Sequence, residues 1–391
     1  MAGTTGTIPE RRNDLDWMRI LAVLLLIPFH SARIFDVFEP FYVKNADLSP
    51  WLSGIVVAFL SMWQMPFLFL IAGASTWYAL GHRSGRQYVG ERLRRLMIPF
   101  VFGTLVIVPP QMYLALLFRS STTASYLEYY PSFFQLRPFD LPDYTGIGFS
   151  WAHLWFILDL FVISLIALPL LLSLRSGTGR GILSSWGRFT SRGGAIFLLA
   201  IPFLLVGDFP EVDGKPFFTY LLVFICGFVL MSDAGFQRGL ERNKEAALIL
   251  GIVTMSILYA VYLSGAQFAD NSIEDVSLFI VRNCNLWFWL VALLGFGQKY
   301  LNADNRVLRY AREAAYPFYV LHQTVIVAIG FYVVQWDADT LLKYLVIVVG
   351  SLVVTVGIYD SLVRRTNLTR FLFGMKPRAR FAAPQIASPS S

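Results

Sequence analysis

The chain has 391 residues, of which 56% are hydrophobic and only 15% charged, a balance more apolar and less charged than that of a soluble domain. Its many apolar runs approach the ~20 residues that span a hydrocarbon core, and they are continuous rather than alternating, which argues against a transmembrane β-barrel pattern. The net charge of +7 does not point to nucleic acid, because the basic residues lie between the apolar runs, where membrane orientation places them.

In chain order the hydropathy predicts ten spans, at 15–37, 51–80, 94–118, 152–174, 193–208, 216–232, 246–265, 277–298, 314–335 and 341–363. The expected fold is all-α, a polytopic integral membrane protein. The first run is too long for a cleaved signal peptide and lacks a small-residue cleavage site, so it is expected to stay as the first span. The second contains Gln64-Met-Pro66 and Gly73 and is expected to kink. The third is expected to break at Pro109-Pro110. The fifth and sixth are the shortest.

Orientation follows from the loops. With the N-terminus in the cytoplasm, 25 of the 32 Lys and Arg residues fall on the inner side, and both termini are cytoplasmic. The chain then divides into an inner segment 1–14, a membrane domain 15–363 and a basic tail 364–391, whose Pro/Ser/Ala-rich end is expected to be disordered. Of the outer segments, 38–50 and 119–151 are the longest, and the second is rich in Tyr, Phe and Pro. Such rings can form an interfacial belt or a platform on which sugars stack. No internal repeat is visible, so an inverted-repeat transporter gains no support.

The first span carries the polar groups that matter most. Arg19 and His30 are eleven residues apart, three helical turns, so they share one face about 16 Å apart along the axis. Asp16 and Arg33 extend that stripe, and Pro28 is placed to bend the helix before His30. Lipid does not tolerate such a face, so it looks into the bundle or a watery cavity. The remaining histidines are His82 in a basic loop, His153 at the start of the fourth span and His322 in the ninth. An intramembrane histidine can be a packing residue with a satisfied hydrogen bond or a chemical group. Arg92 and Arg95 open the third span with RxxR spacing, which puts two guanidinium groups on one helix face, suited to phosphate. Asp159 is a mid-span carboxylate that could orient His30 or pair with Arg282; Asp36 lies off the shared face. His153 and Asp159 are six apart, which breaks the HxxxD spacing of soluble acyltransferases. Cys226 and Cys284 read as small apolar residues, and no metal site is expected.

The string RNDLDWMRILAVLLLIPFH, with Arg19 and His30 spaced as Arg, ten residues, His, resembles the opening of the membrane acyltransferase 3 family. ERLRRLMIP matches that family's RxxR segment, SMWQMPFLFLIAGAS its second span, HLWFILDLFVIS its HLWF segment and YPFYVLHQ its late histidine segment. The strings most resemble the members that add succinyl groups to periplasmic glucans, and the resemblance covers all ten spans. It implies an inner-membrane enzyme that moves an acyl group, succinyl or acetyl, from cytoplasmic acyl-CoA to a hydroxyl of an extracytoplasmic glycan. On that reading Arg19, Arg92 and Arg95 hold the CoA phosphates and His30 is the general base. Arg33, Gln64, Arg282 and Asn285 are candidate donors to the thioester oxyanion. Asp159 is the candidate partner of the base, and His153, Trp155 and His322 line the substrate path. The rival is a transporter or flippase that passes an anionic solute along the same charged stripe.

Overall fold

The computed structural model describes residues 12–38, 40–120, 122–137 and 143–378. Most of the inner segment 1–14, the middle of the aromatic segment 119–151 and the end of the tail lie outside the described residues. Within them the chain is helical, and its only β pairing is an isolated bridge between Val212 and Lys215.

Among the described residues eight helices are long and apolar enough to cross a membrane. These are α1 (Asn13–Ala32), α2 (Pro50–Gly81), α3 (Gly85–Arg119), α5 (Ala152–Leu174), α9 (Ala234–Ser264), α10 (Ile273–Tyr300), α11 (Arg306–Val333) and α12 (Thr340–Val363). The fifth and sixth predicted spans appear as shorter apolar helices, α7 (Ala195–Val206) and α8 (Phe217–Leu230). Short helices α4 (Tyr126–Phe133), α6 (Gly177–Thr190) and α13 (Asn367–Leu372) fill connections and the C-terminal segment.

The helix interruptions have local causes. In α1 the turn at Leu25 separates Asn13–Leu24 from Leu26–Ala32, just before Pro28, whose ring has no N–H to give and crowds the preceding turn. In α2 the break is at Met62-Trp63, four residues before Pro66. The α-helical hydrogen bonding runs on without a break through Gly73. A Cβ on Gly73 would sit 1.9 Å from the Phe224 carbonyl oxygen, and one on Gly227 would sit 2.0 Å from that of Leu70. The two glycines let α2 and α8 pack backbone to backbone, as small residues do in membrane bundles. The expected break in α3 is absent: the helix passes Pro109-Pro110 after a π-turn at Gly103–Ile107, which re-spaces the backbone so that the prolines open the next α-helical stretch.

Burial separates centre from rim. The most apolar stretch of α11 is 67% buried inside the protein, whereas that of α9 is 17% buried and presents Ile249, Ile252 and Leu263 outward. Helix α11 packs against α1, α3 and α12, and α9 pairs with α10 at the periphery. Helix α11, which carries His322 and Gln323 among its apolar residues, is thus the most buried of the eight.

Candidate active site

The seam between α1 and α11 positions the site. At one end Asp16 on α1 receives Arg19 at 2.9 Å and Arg312 of α11 at 3.3 Å, and the Trp17 indole N–H donates to the Ala303 carbonyl at 2.9 Å. On α11, Arg312, Tyr316, Tyr319 and His322 follow at steps of four, three and three, which keeps them on one side of the helix. The seam thus runs from an arginine end to a histidine end.

At the arginine end the RxxR pair diverges. Arg92 turns inward: its guanidinium donates to Thr76 Oγ1 at 2.8 Å, lies 4.9 Å over the Tyr88 ring and is within electrostatic reach of the buried Tyr316 hydroxyl. Arg95 pairs with Glu91 at 3.1 Å, and Glu91 also holds Arg83 at 2.8 Å. A π-turn begins at Leu93, between the two arginines, which the plain α-helical spacing did not anticipate. The C-terminal segment folds back here. Arg370 of α13 pairs with Glu313 of α11, and Phe373 packs on Phe102.

At the histidine end three rings from three helices converge. His30 and His322 have centroids 5.2 Å apart, and His153 and His322 5.1 Å apart. His153 Nε2 is 3.0 Å from the Val320 carbonyl and His322 Nδ1 is 2.5 Å from the Tyr319 carbonyl. The Tyr319 hydroxyl donates to the His153 carbonyl, tying α11 to the start of α5. His322 is fully buried, His153 nearly so, and His30 only half-buried. Among the described residues no group of His, Cys, Asp or Glu side chains is arranged to hold a metal ion.

A loop roofs this cluster. The Phe41 ring stacks on His30 at 6.1 Å, and its carbonyl accepts from Arg119. The loop is fastened by Asp36, fully buried, which takes Lys44 at 2.6 Å and Arg33 at 2.9 Å, and by Lys343, which donates to Asn45 Oδ1 at 3.1 Å. Burial pulls the Lys44 ammonium below its ordinary pKa, and the bond to Asp36 pulls it back up. Burial raises Tyr42, while a hydrogen bond to Gln323 opposes the rise.

The other predicted site residues lie elsewhere. Helix α1 ends at Ala32, so Arg33 leaves the stripe for the turn, where it pairs with Asp36. Gln64 donates to the Ala22 carbonyl at 3.0 Å. Asn285 donates to Gly251 and Thr254 of α9, and Arg282 lies 6.0 Å over Phe279. Asp159 has Asp213 and Lys215 as its charged neighbours and makes no ion pair with Arg282. Trp155 stacks on Tyr220 under Lys215. His82 is exposed. Tyr316, Tyr319 and Phe41 were not anticipated; the first two could have been found from their spacing to His322, whereas Phe41 reaches His30 only through the fold of the loop.

The family model for the acyltransferase domain matches residues 12–360. Over 386 residues the chain is 21% identical to glucans biosynthesis protein C of Escherichia coli K12, covering 94% of this chain and 95% of that one. It is 20% identical over 384 residues to glucans biosynthesis protein C of Salmonella paratyphi A, covering 95% and 97%. No solved structure matches the chain significantly. The arginine and histidine ends of one buried seam thus sit within a match spanning nearly every helix, and the chain belongs to the acyltransferase 3 family of multi-pass membrane proteins.

Proposed function

We propose that the protein is an O-acyltransferase that takes an acyl group, succinyl or acetyl, from cytoplasmic acyl-CoA and places it on a hydroxyl of an extracytoplasmic glycan, with His30 as general base. The observation that carries this reading is the seam itself. Arginines gather at one end, and the histidines sit about 16 Å further along the helix axis, a span of the order of a pantetheine arm. In this reading the arginine end faces the cytoplasm, α7 and α8 complete ten spans, and both termini are inside, in accord with the basic loops.

The phosphates of CoA dock on Arg92, Arg95 and Arg19, where guanidinium groups offer paired donors. The arm runs along Tyr316 and Tyr319 and brings the thioester to His30. The glycan hydroxyl arrives beneath the Phe41 loop from the outer side. Its oxygen bonds to the thioester carbonyl carbon while His30 takes its proton. The tetrahedral intermediate then collapses, the C–S bond breaks, and His30 returns the proton to the leaving thiolate, giving an ester and free CoA. Substrate hydroxyl and base must meet within hydrogen-bond reach, which the half-buried edge of His30 allows.

The test is mass spectrometry of envelope glycans from cells with the wild-type protein, His30→Ala or none. An acyl mass increment present only with the wild type is expected, and it names the group. Glycans identical in all three would refute the glycan acceptor.

A further inference from the structure

We infer that His322 is the positioning residue for the base, holding His30 in the tautomer that leaves Nε2 free to take a proton. The inference rests on His30 being the base, as proposed above, and starts from the hydrogen bonds of the three rings.

A carbonyl only accepts, so the bond to Tyr319 fixes the proton of His322 on Nδ1 and leaves Nε2 as a lone-pair acceptor. That Nε2 is buried and has no partner. His153 is fixed the opposite way: Nε2–H donates to Val320, and Nδ1 is a buried acceptor without a partner. Two locked rings therefore present acceptors and no donor. The third ring, His30, also has its Nδ1 buried and unpartnered. It is only half-buried, so its exposure lies on the remaining edge, which carries Nε2.

The proton that satisfies this arrangement belongs on His30 Nδ1, donated to His322 Nε2. An in-line N–H···N bond between two imidazoles sets their centroids about 5 Å apart, and those of His30 and His322 are 5.2 Å apart. Rotation of the ring closes the bond. Nε2 of His30 is then the lone-pair base on the accessible edge. It takes the hydroxyl proton and later returns it to the thiolate, while Nδ1–H stays in place throughout.

In soluble triads a carboxylate orients the histidine. Here Asp36 is taken up by Arg33 and Lys44, and Asp159 has the Asp213 and Lys215 side for its charged neighbours. A neutral imidazole does the same orienting work in a membrane interior, where an ionised carboxylate is expensive. His153, linked to Tyr319 and Val320, braces His322 from the other side.

The experiment uses full-length protein in nanodiscs, with succinyl-CoA and acetyl-CoA as donor probes, a linear β-glucan oligosaccharide as acceptor, and release of CoA thiol across pH 5–9. His322→Ala is expected to lower kcat about 100-fold, with little change in donor KM and an altered pH profile. His322→Gln, whose amide oxygen can stand where Nε2 stood, is expected to recover to within about tenfold of wild type. Histidine-labelled ¹⁵N NMR reads the tautomer directly. His30 is expected to carry its proton on Nδ1 in the wild type and to lose that preference in His322→Ala. Wild-type kcat and pH profile in His322→Ala would overturn the inference. So would equal impairment of the Ala and Gln variants, or an unchanged His30 tautomer. Wild-type turnover in His30→Ala would instead overturn the base assignment, and failure of every donor would leave the NMR result to decide the positioning.

Discussion

The two ends of the α1–α11 seam are finished differently. At the arginine end the charged groups meet partners within the protein: Asp16 with Arg19 and Arg312, Glu91 with Arg95 and Arg83, Arg92 with Thr76. At the histidine end His30 Nδ1, His153 Nδ1 and His322 Nε2 are buried without one. A buried polar atom left unpaired costs about 1–3 kcal/mol, and packing alone gives no reason to gather three of them. The charges of the arginine end are thus met within the protein. The histidine end leaves three buried ring nitrogens open to a proton or a ligand.

The sharpest way to break this comparison is His30→Ala. If the histidine end is chemical, kcat falls by about 10³-fold or more, while thermal unfolding in detergent changes little because the ring is only half-buried. A large loss of stability with activity preserved would make the three rings a packing cluster. Asp36→Ala tests the opposite property at the same end. Asp36 is fully buried between Arg33 and Lys44. Removing one member of a buried ion pair costs about 3–5 kcal/mol, so the variant should unfold well below the wild type in a thermal scan. Stability within about 1 kcal/mol of wild type would show that water already reaches the pair.

What was legible in the sequence followed from helical periodicity. The Arg19–His30 spacing placed both residues on α1, and HLWF and YPFYVLHQ marked the positions of His153 and His322. Their meeting was not legible, because it depends on how α1, α5 and α11 pack, and no spacing within one helix encodes that. The divergence of Arg92 and Arg95 was hidden for a related reason: a π-turn between them changes the angle per residue. Gly73 read as a kink because glycine weakens a helix, whereas the close approach to Phe224 becomes visible only with the partner helix in place. Arg33 read as part of the stripe because nothing in its own residue type signals that the helix stops at Ala32.

At the arginine end a smaller effect is expected, and on binding rather than turnover. Arg92→Ala should raise the KM for acyl-CoA about 10- to 100-fold with kcat nearly unchanged, as for loss of a charge-assisted phosphate contact. Arg92→Lys should recover only part of this. The guanidinium also lies over Tyr88 and bonds Thr76, and an ammonium cannot keep both contacts while reaching an anion. A fall in kcat alone would place Arg92 with the chemistry and blur the division between the two ends.

Tyr319→Phe gives the mildest effect and the finest distinction. The Tyr319 hydroxyl donates to the His153 carbonyl, and the Tyr319 carbonyl locks the His322 tautomer. The substitution removes only the first of these bonds, since the backbone carbonyl remains. A single neutral hydrogen bond contributes about 1 kcal/mol, so a three- to tenfold loss of kcat is expected, roughly the change that a slightly looser His153 would produce. A loss beyond about 100-fold would mean that the hydroxyl itself contacts the reacting atoms. No change would mean that the His153–Val320 hydrogen bond and the packing of Phe156 against Tyr319 hold His153 without the hydroxyl. The expected modest loss would divide the histidine end further, into the ring that takes a proton, the rings that hold it and the tyrosine that sets their spacing.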